Sequence, residues 1–229
     1  MPKVLVKHAS IMALLVFTLY AVVSNIALGQ MTFAIHPVAA YLVLGITLLL
    51  LFNVEGLEIA VTALYGVTLD EKMRRRFHTA AAIHKLTSDP AILKNFLIGR
   101  QVFVILLVFV LAGLTSSDQQ YLPYTQLRLP DLVTLVIFKL GFLGALVTFW
   151  FGQISGKILA SQQPIRFLNF PLQIVIVKLA ILVASTGLSY PVEKLLRTGA
   201  LSSVTIAPRY CDFSPADKMN RRVPHGIFD

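Results

Sequence analysis

The chain has 229 residues, 56% of them hydrophobic and only 14% charged, with a mean hydropathy of +0.76. An average soluble domain is about 25% charged, so this composition is that of an integral membrane protein. The formal charge of +9 therefore belongs to loops and headgroup contacts and does not signal nucleic acid. The single cysteine, Cys211, rules out an intrachain disulfide. With no zinc-spaced Cys/His cluster, Gly-rich phosphate loop or nucleophile elbow, an enzyme is not expected.

The first apolar run, from Ala9 to Leu28, is about 20 residues, enough for one helical crossing. Lys3 and Lys7 precede it. Ala27-Leu28-Gly29 before Gln30 resembles a signal-peptide cleavage site. The run is longer than the usual ~7–15 residue signal core, which favours a retained anchor. No Lys or Arg lies between Gln30 and Pro37.

A second span runs from Val38 to Leu64. It is long for one crossing, so tilt or a break near Gly56 is expected. Inside it, the aliphatic run Leu48 to Phe52 leads into Asn53, Glu55, Gly56 and Glu58. Residues three apart share a helix face, so Glu55 and Glu58 point the same way. Each carboxylate in hydrocarbon costs at least about 2.5 kcal/mol, which marks the pair as functional or, alternatively, as the cytoplasmic end of the span.

From Asp70 to Asn95 the chain turns basic, with Lys72, Arg74, Arg75, Arg76, Lys85 and Lys94. Met73, Phe77, Ala80, Ala81 and Ile83 recur at helical spacing among these charges. His78 and His84, six apart, fall on different helix faces and are read as solvated or interfacial. Thr87-Ser88-Asp89-Pro90 supplies a cap and a proline start for the next helix.

The third span, Ile92 to Leu114, carries Arg100-Gln101 in its first half, and a polar loop follows to Pro130. The fourth begins near Asp131, contains Lys139 and reaches Trp150-Phe151, continuing into Lys157. A break at Ser161-Gln162-Gln163-Pro164 precedes the apolar segment Phe167 to Leu188, interrupted by Pro171 and Lys178. That segment ends amphipathically at Arg197 and is either a fifth span or an interfacial helix.

Basic residues crowd the N-terminus, residues 70–95 and everything after Lys157, and are sparse in 30–37 and 115–130. Four crossings with both termini cytoplasmic satisfy this pattern. A fifth would export Arg209, Lys218, Arg221 and Arg222, which favours 167–197 lying along the interface. The expected fold is an all-α integral membrane protein of about four transmembrane helices plus an amphipathic interfacial (belt) helix.

Three stretches in register resemble a known family. They are Phe52-Asn53-Val54-Glu55-Gly56-Leu57-Glu58-Ile59-Ala60, Asp89-Pro90 through Leu97-Ile98-Gly99-Arg100-Gln101, and Phe151-Gly152-Gln153-Ile154-Ser155-Gly156-Lys157-Ile158-Leu159-Ala160 with Pro164 after it. They are similar to the Glu-containing first break, the DP…LIGNN helix opening and the FGEI-x-PK-x-LA…P motif of the CorC/cyclin-M transmembrane domain. The likeness covers roughly 38–197. It leaves 1–37 as an N-terminal anchor and outer linker, with a first span unusual for the pattern, and 198–229 as a polar cytoplasmic tail.

The resemblance implies a homodimer engaged in magnesium export, with Mg2+ or Na+ as transported ion and no bound cofactor. In that family small hydroxyl residues and backbone carbonyls at the first break, an Asn and a Glu form an oxygen cage suited to a hard cation. This chain departs from it. The serines are replaced around Glu55-Gly56-Leu57, the Asn pair has become Arg100-Gln101, and the Glu has become Gln153.

Two readings follow. In one, Asn53, Glu55, Glu58, Gln101 and Gln153 form a rearranged cation site, giving divalent cation (magnesium) transport or homeostasis. In the other, Arg100 pairs with Glu55 or Glu58 and fills the site with a tethered charge. The protein is then a non-transporting accessory or scaffold subunit of a larger membrane complex. The expected partners are the lipid bilayer and either a second copy or such a complex, without nucleic acid.

Overall fold

The computed structural model describes residues 2–31, 33, 35–117, 130, 132, 135 and 141–187. Most of the loop 115–130, Asp131, Lys139, the amphipathic end 188–197 and the tail 198–229, with Cys211, lie outside the described residues. All described regular structure is helical, and four helices are long and apolar enough to cross a membrane.

Helix α1 is Pro2–Ala27 and α2 is Pro37–Leu64. At about 1.5 Å per residue, the 28 residues of α2 exceed a hydrocarbon core of about 30 Å, as the long apolar run leads one to expect. The anticipated break near Gly56 is absent, because α2 is continuous through it. A glycine inside a helix costs only about 1 kcal/mol, too little to break an apolar helix of this length.

Two short helices follow, α3 (Glu71–Arg76) and α4 (His78–Thr87). Helix α5 (Pro90–Thr115) starts on its proline, and Asp89 Oδ1 accepts the Ala91 N–H at 2.8 Å. The next spanning helix, α6, is Phe142–Gln162. Apart from Leu132 and Leu135, residues 131–140 lie outside the described residues, so the expected start near Asp131 is not described; at the other end the helix continues past Phe151 and Lys157 to Gln162. Gly141, at φ 70°, sits immediately before it in a left-handed turn that suits glycine. Its middle, Thr148–Ile154, is wound as a π-helix. Helices α7 (Pro164–Leu168) and α8 (Pro171–Ser185) both open on proline. Fifteen residues give α8 about 22 Å, short of a full crossing.

The chain divides into two compact units. The first joins Met1–Gly56 to Phe103–Leu159. Its core sets Ala21, Val22 and Ile26 of α1 and Ala40 of α2 against Leu114 of α5 and Leu143 and Val147 of α6. Small residues let these helices close up: a Cβ on Gly144 would stand 1.9 Å from Thr115 Oγ1. Tyr41 donates its hydroxyl to the Val23 carbonyl at 2.6 Å, tying α2 to α1.

The second unit holds Leu57–Val102 and the described residues from Ala160 onward. Here α4 packs on α7 and α8. Asn169, at the end of α7, accepts the Thr79 N–H at 3.3 Å and so satisfies a donor in the first turn of α4 from ninety residues away. His84 Nε2 meets the Val67 carbonyl at 2.9 Å. Gly99 of α5 lies so close to α8 that a Cβ would fall 1.8 Å from the Ala180 carbonyl oxygen.

Gly99→Ala must force α5 and α8 apart, and the expected loss is about 1–3 kcal/mol, typical of overpacking. Gly45→Ala, where an added Cβ meets nothing within 4 Å, should be neutral or slightly stabilising. Thermal unfolding of the two variants in the same detergent checks this contrast.

Asn25 offers a second test of packing. Its side chain is 1% exposed, and both amide atoms lack a hydrogen-bond partner among the described residues. Replacement by similarly sized Leu removes a buried polar group that costs about 1–3 kcal/mol unsatisfied, so Asn25→Leu should raise the unfolding temperature.

Candidate functional site

In the first unit, the polar turn of α2 meets α6 through two glycines. A Cβ on Gly152 would stand 2.4 Å from Leu51 Cδ2, and one on Gly156 only 2.2 Å from the Phe52 carbonyl oxygen. Spaced four apart, Gly152 and Gly156 form the small-xxx-small pattern that lets membrane helices approach backbone to backbone. The close approach brings Lys157 Nζ to 3.1 Å from Glu55 Oε2. The carboxylate side chain is 5% exposed and the lysine 43%, so the charge that most needs a partner is the buried one. Widened π-helical turns frequently mark functional positions in helices, and this one carries Gln153.

The second unit holds the other carboxylate. Arg100 Nη2 lies 3.2 Å from Glu58 Oε2, with the arginine side chain 8% exposed and the glutamate 31%. The same Nη2 donates to Gln101 Oε1 at 3.2 Å. Gly99 precedes this arginine and permits the close seat of α5 on α8 described above. Glu58, Arg100 and Gln101 thus form one cluster in which a carboxylate, a guanidinium and an amide lie within hydrogen-bonding reach.

The residues singled out in the sequence are therefore distributed as follows. Glu58, Arg100 and Gln101 come together. Glu55 is joined by Lys157, which the sequence reading noted but gave no role. Asn53 is buried and donates its Nδ2 to the Leu49 carbonyl at 2.6 Å, along its own helix. Gln153 is half-buried in the π-helical turn of α6. Among the described residues no group of three or more His, Cys, Asp or Glu side chains is placed to hold a metal ion. The signal that would have found Lys157 is the spacing Gly152-x-x-x-Gly156 directly before it.

The family described as silicon transporter matches residues 2–139, more than half of the chain. No curated protein and no solved structure matches it. The family match overturns the CorC/cyclin-M assignment, and with it the basis for magnesium and for a homodimer. The matched stretch begins at residue 2, so α1 is part of the family's own pattern and not an addition to another one. Short motifs misled for a physical reason. Glycine, amide and carboxylate residues recur at helix–helix contacts of many membrane proteins, whereas Arg100 reverses the charge that the CorC-like cage requires.

A double-mutant cycle on Glu58→Gln and Arg100→Gln should show a coupling of about 1–3 kcal/mol, between the values for surface and fully buried pairs. Glu71–Arg75, whose side chains are 78% and 80% exposed, is the internal control and should couple by no more than about 0.5 kcal/mol. Unfolding free energies of the full chain in detergent give both numbers.

Proposed function

The chain belongs to the silicon transporter family, and we propose that it carries dissolved silicon, as silicic acid, across the membrane in which its four long helices sit. It does so as a carrier without covalent chemistry. Silicic acid is a small, uncharged molecule with four hydroxyl groups, each able to donate and accept. The observation that supports this reading is the Glu58–Arg100–Gln101 cluster, which lies wholly inside the matched stretch. A hard divalent cation is held by an excess of anionic and neutral oxygens. An ion pair presents no such excess. It does present an acceptor and a forked donor side by side, suited to a neutral solute that both donates and accepts.

In this reading Glu58 accepts a hydrogen bond from a silanol O–H, Arg100 donates one to a silanol oxygen, and Gln101 supplies an amide to orient the solute. Glu55 and Lys157 form a separate neutral pair. Their part is to hold α2 and α6 in register at the polar turn. The positive-inside pattern supports a cytoplasmic side for both termini and for the basic α3–α4 segment in this reading.

A second reading is favoured by the same short Arg100–Glu58 contact: the guanidinium occupies the polar site permanently and the chain is a non-transporting subunit of a membrane complex. The two readings separate in one experiment. Purified full chain in proteoliposomes should take up silicic acid saturably, and Arg100→Gln or Glu58→Gln should lower uptake about 10- to 100-fold, the loss of one or two charge-assisted hydrogen bonds. Absence of wild-type uptake, together with stoichiometric partners co-purifying from native membrane, would move the assignment to the subunit reading.

A further inference from the structure

We propose that α3 and the start of α4 form a binding seat for the phosphate of an anionic phospholipid headgroup. Nothing in the transport reading requires this site. It rests on a different part of the molecule.

The segment between α2, which ends at Leu64, and α5, which starts at Pro90, leaves one apolar span and enters the next. It therefore lies at a membrane surface. None of the residues of α3, Glu71-Lys72-Met73-Arg74-Arg75-Arg76, is buried. Arg74, Arg75 and His78, with Glu71 and Leu69, line an open hollow of about 580 Å³.

The charges in this hollow are available. Asp70 is occupied in accepting the Glu71 N–H at 2.7 Å, which caps α3. Glu71 holds Arg75 at 2.8 Å, but both side chains are about four-fifths exposed. A hydrated pair of that kind contributes little and yields readily to a phosphate. Arg74 makes no ion pair among the described residues. Two guanidinium forks facing one hollow match the bidentate geometry of phosphate oxygens better than two lysines would.

Three features favour a lipid over a soluble anion. Leu69 is only 7% exposed and gives the hollow an apolar wall, and Met73 and Phe77, both half-buried, are interleaved with the arginines. The guanidinium of Arg76 sits over the Phe77 ring at 5.4 Å from its centroid, keeping a cation beside an apolar surface. Four basic residues, Lys72, Arg74, Arg75 and Arg76, in the short segment that follows a spanning helix are also an arrangement that associates with anionic lipid.

The test uses the full chain in nanodiscs of phosphatidylcholine alone or mixed with phosphatidylserine, without silicic acid, so its outcome is independent of transport. Phosphatidylserine should raise the unfolding temperature and be retained in native mass spectrometry. Arg74→Gln/Arg75→Gln should weaken retention roughly 30-fold, from the contribution of two basic residues at an anionic surface. Arg74→Lys/Arg75→Lys keeps the charge and should retain part of the effect, and it decides the question if the glutamine variant does not fold. Equal retention by wild type and either double variant would overturn the proposal. So would equal wild-type stability in the two lipid mixtures. Stabilisation by inorganic phosphate in phosphatidylcholine nanodiscs, lost in the same variants, would overturn the lipid assignment in favour of a soluble anion.

Discussion

A carboxylate placed on an apolar helix must be given a cation, and α2 carries two of them, Glu55 and Glu58. Much of the remaining architecture meets that demand. Helix α6 closes on α2 through Gly152 and Gly156 and delivers Lys157 to Glu55. Helix α5 closes on α8 through Gly99 and holds Arg100, the next residue, within reach of Glu58. In the first unit the glycine contact and the ion pair join the same two helices, α2 and α6, whereas in the second the glycine contact joins α5 to α8 and the ion pair joins α5 to α2.

On the proposed reading, the paired charges would also shape what can be carried. A cation carrier needs an excess of oxygens over cations where the ion rests. Pairing each glutamate with a lysine or an arginine removes that excess and leaves strong, oriented donors and acceptors. Such a surface costs a neutral, hydroxyl-rich solute little to approach. It would discriminate by hydrogen-bond geometry instead of charge. A family of silicon transporters and an ion-paired polar cluster are therefore mutually consistent, whereas a magnesium cage and a buried arginine are not.

Much of the fold could be read from the sequence, for particular reasons. The spans at 9–28, 38–64 and 92–114 are fixed by length and hydropathy, and the start of α5 by Asp89-Pro90. The two glutamates stood out because their cost in hydrocarbon is high. What could not be read is which apolar residues face protein. Val38, Leu42, Ile46 and Leu49 of α2 are exposed, and Ala40, Leu51 and Leu57 of the same helix are buried. Lipid tails and protein cores both favour apolar side chains, so periodicity carries no contrast inside a membrane. The partnership of Glu55 with Lys157 was hidden for a similar reason, being set by glycines a hundred residues away. Gly56 misled in the opposite sense. It suggests a break, yet the helix runs through it, since a single glycine costs a helix only about 1 kcal/mol.

The central claim is that silicic acid rests against the Glu58–Arg100–Gln101 cluster. Titration calorimetry of silicic acid into the purified full chain, compared with the Arg100→Gln variant, measures this most directly. The account predicts saturable binding to the wild-type chain that is weakened at least tenfold in the variant. Equal binding by the two proteins would contradict it.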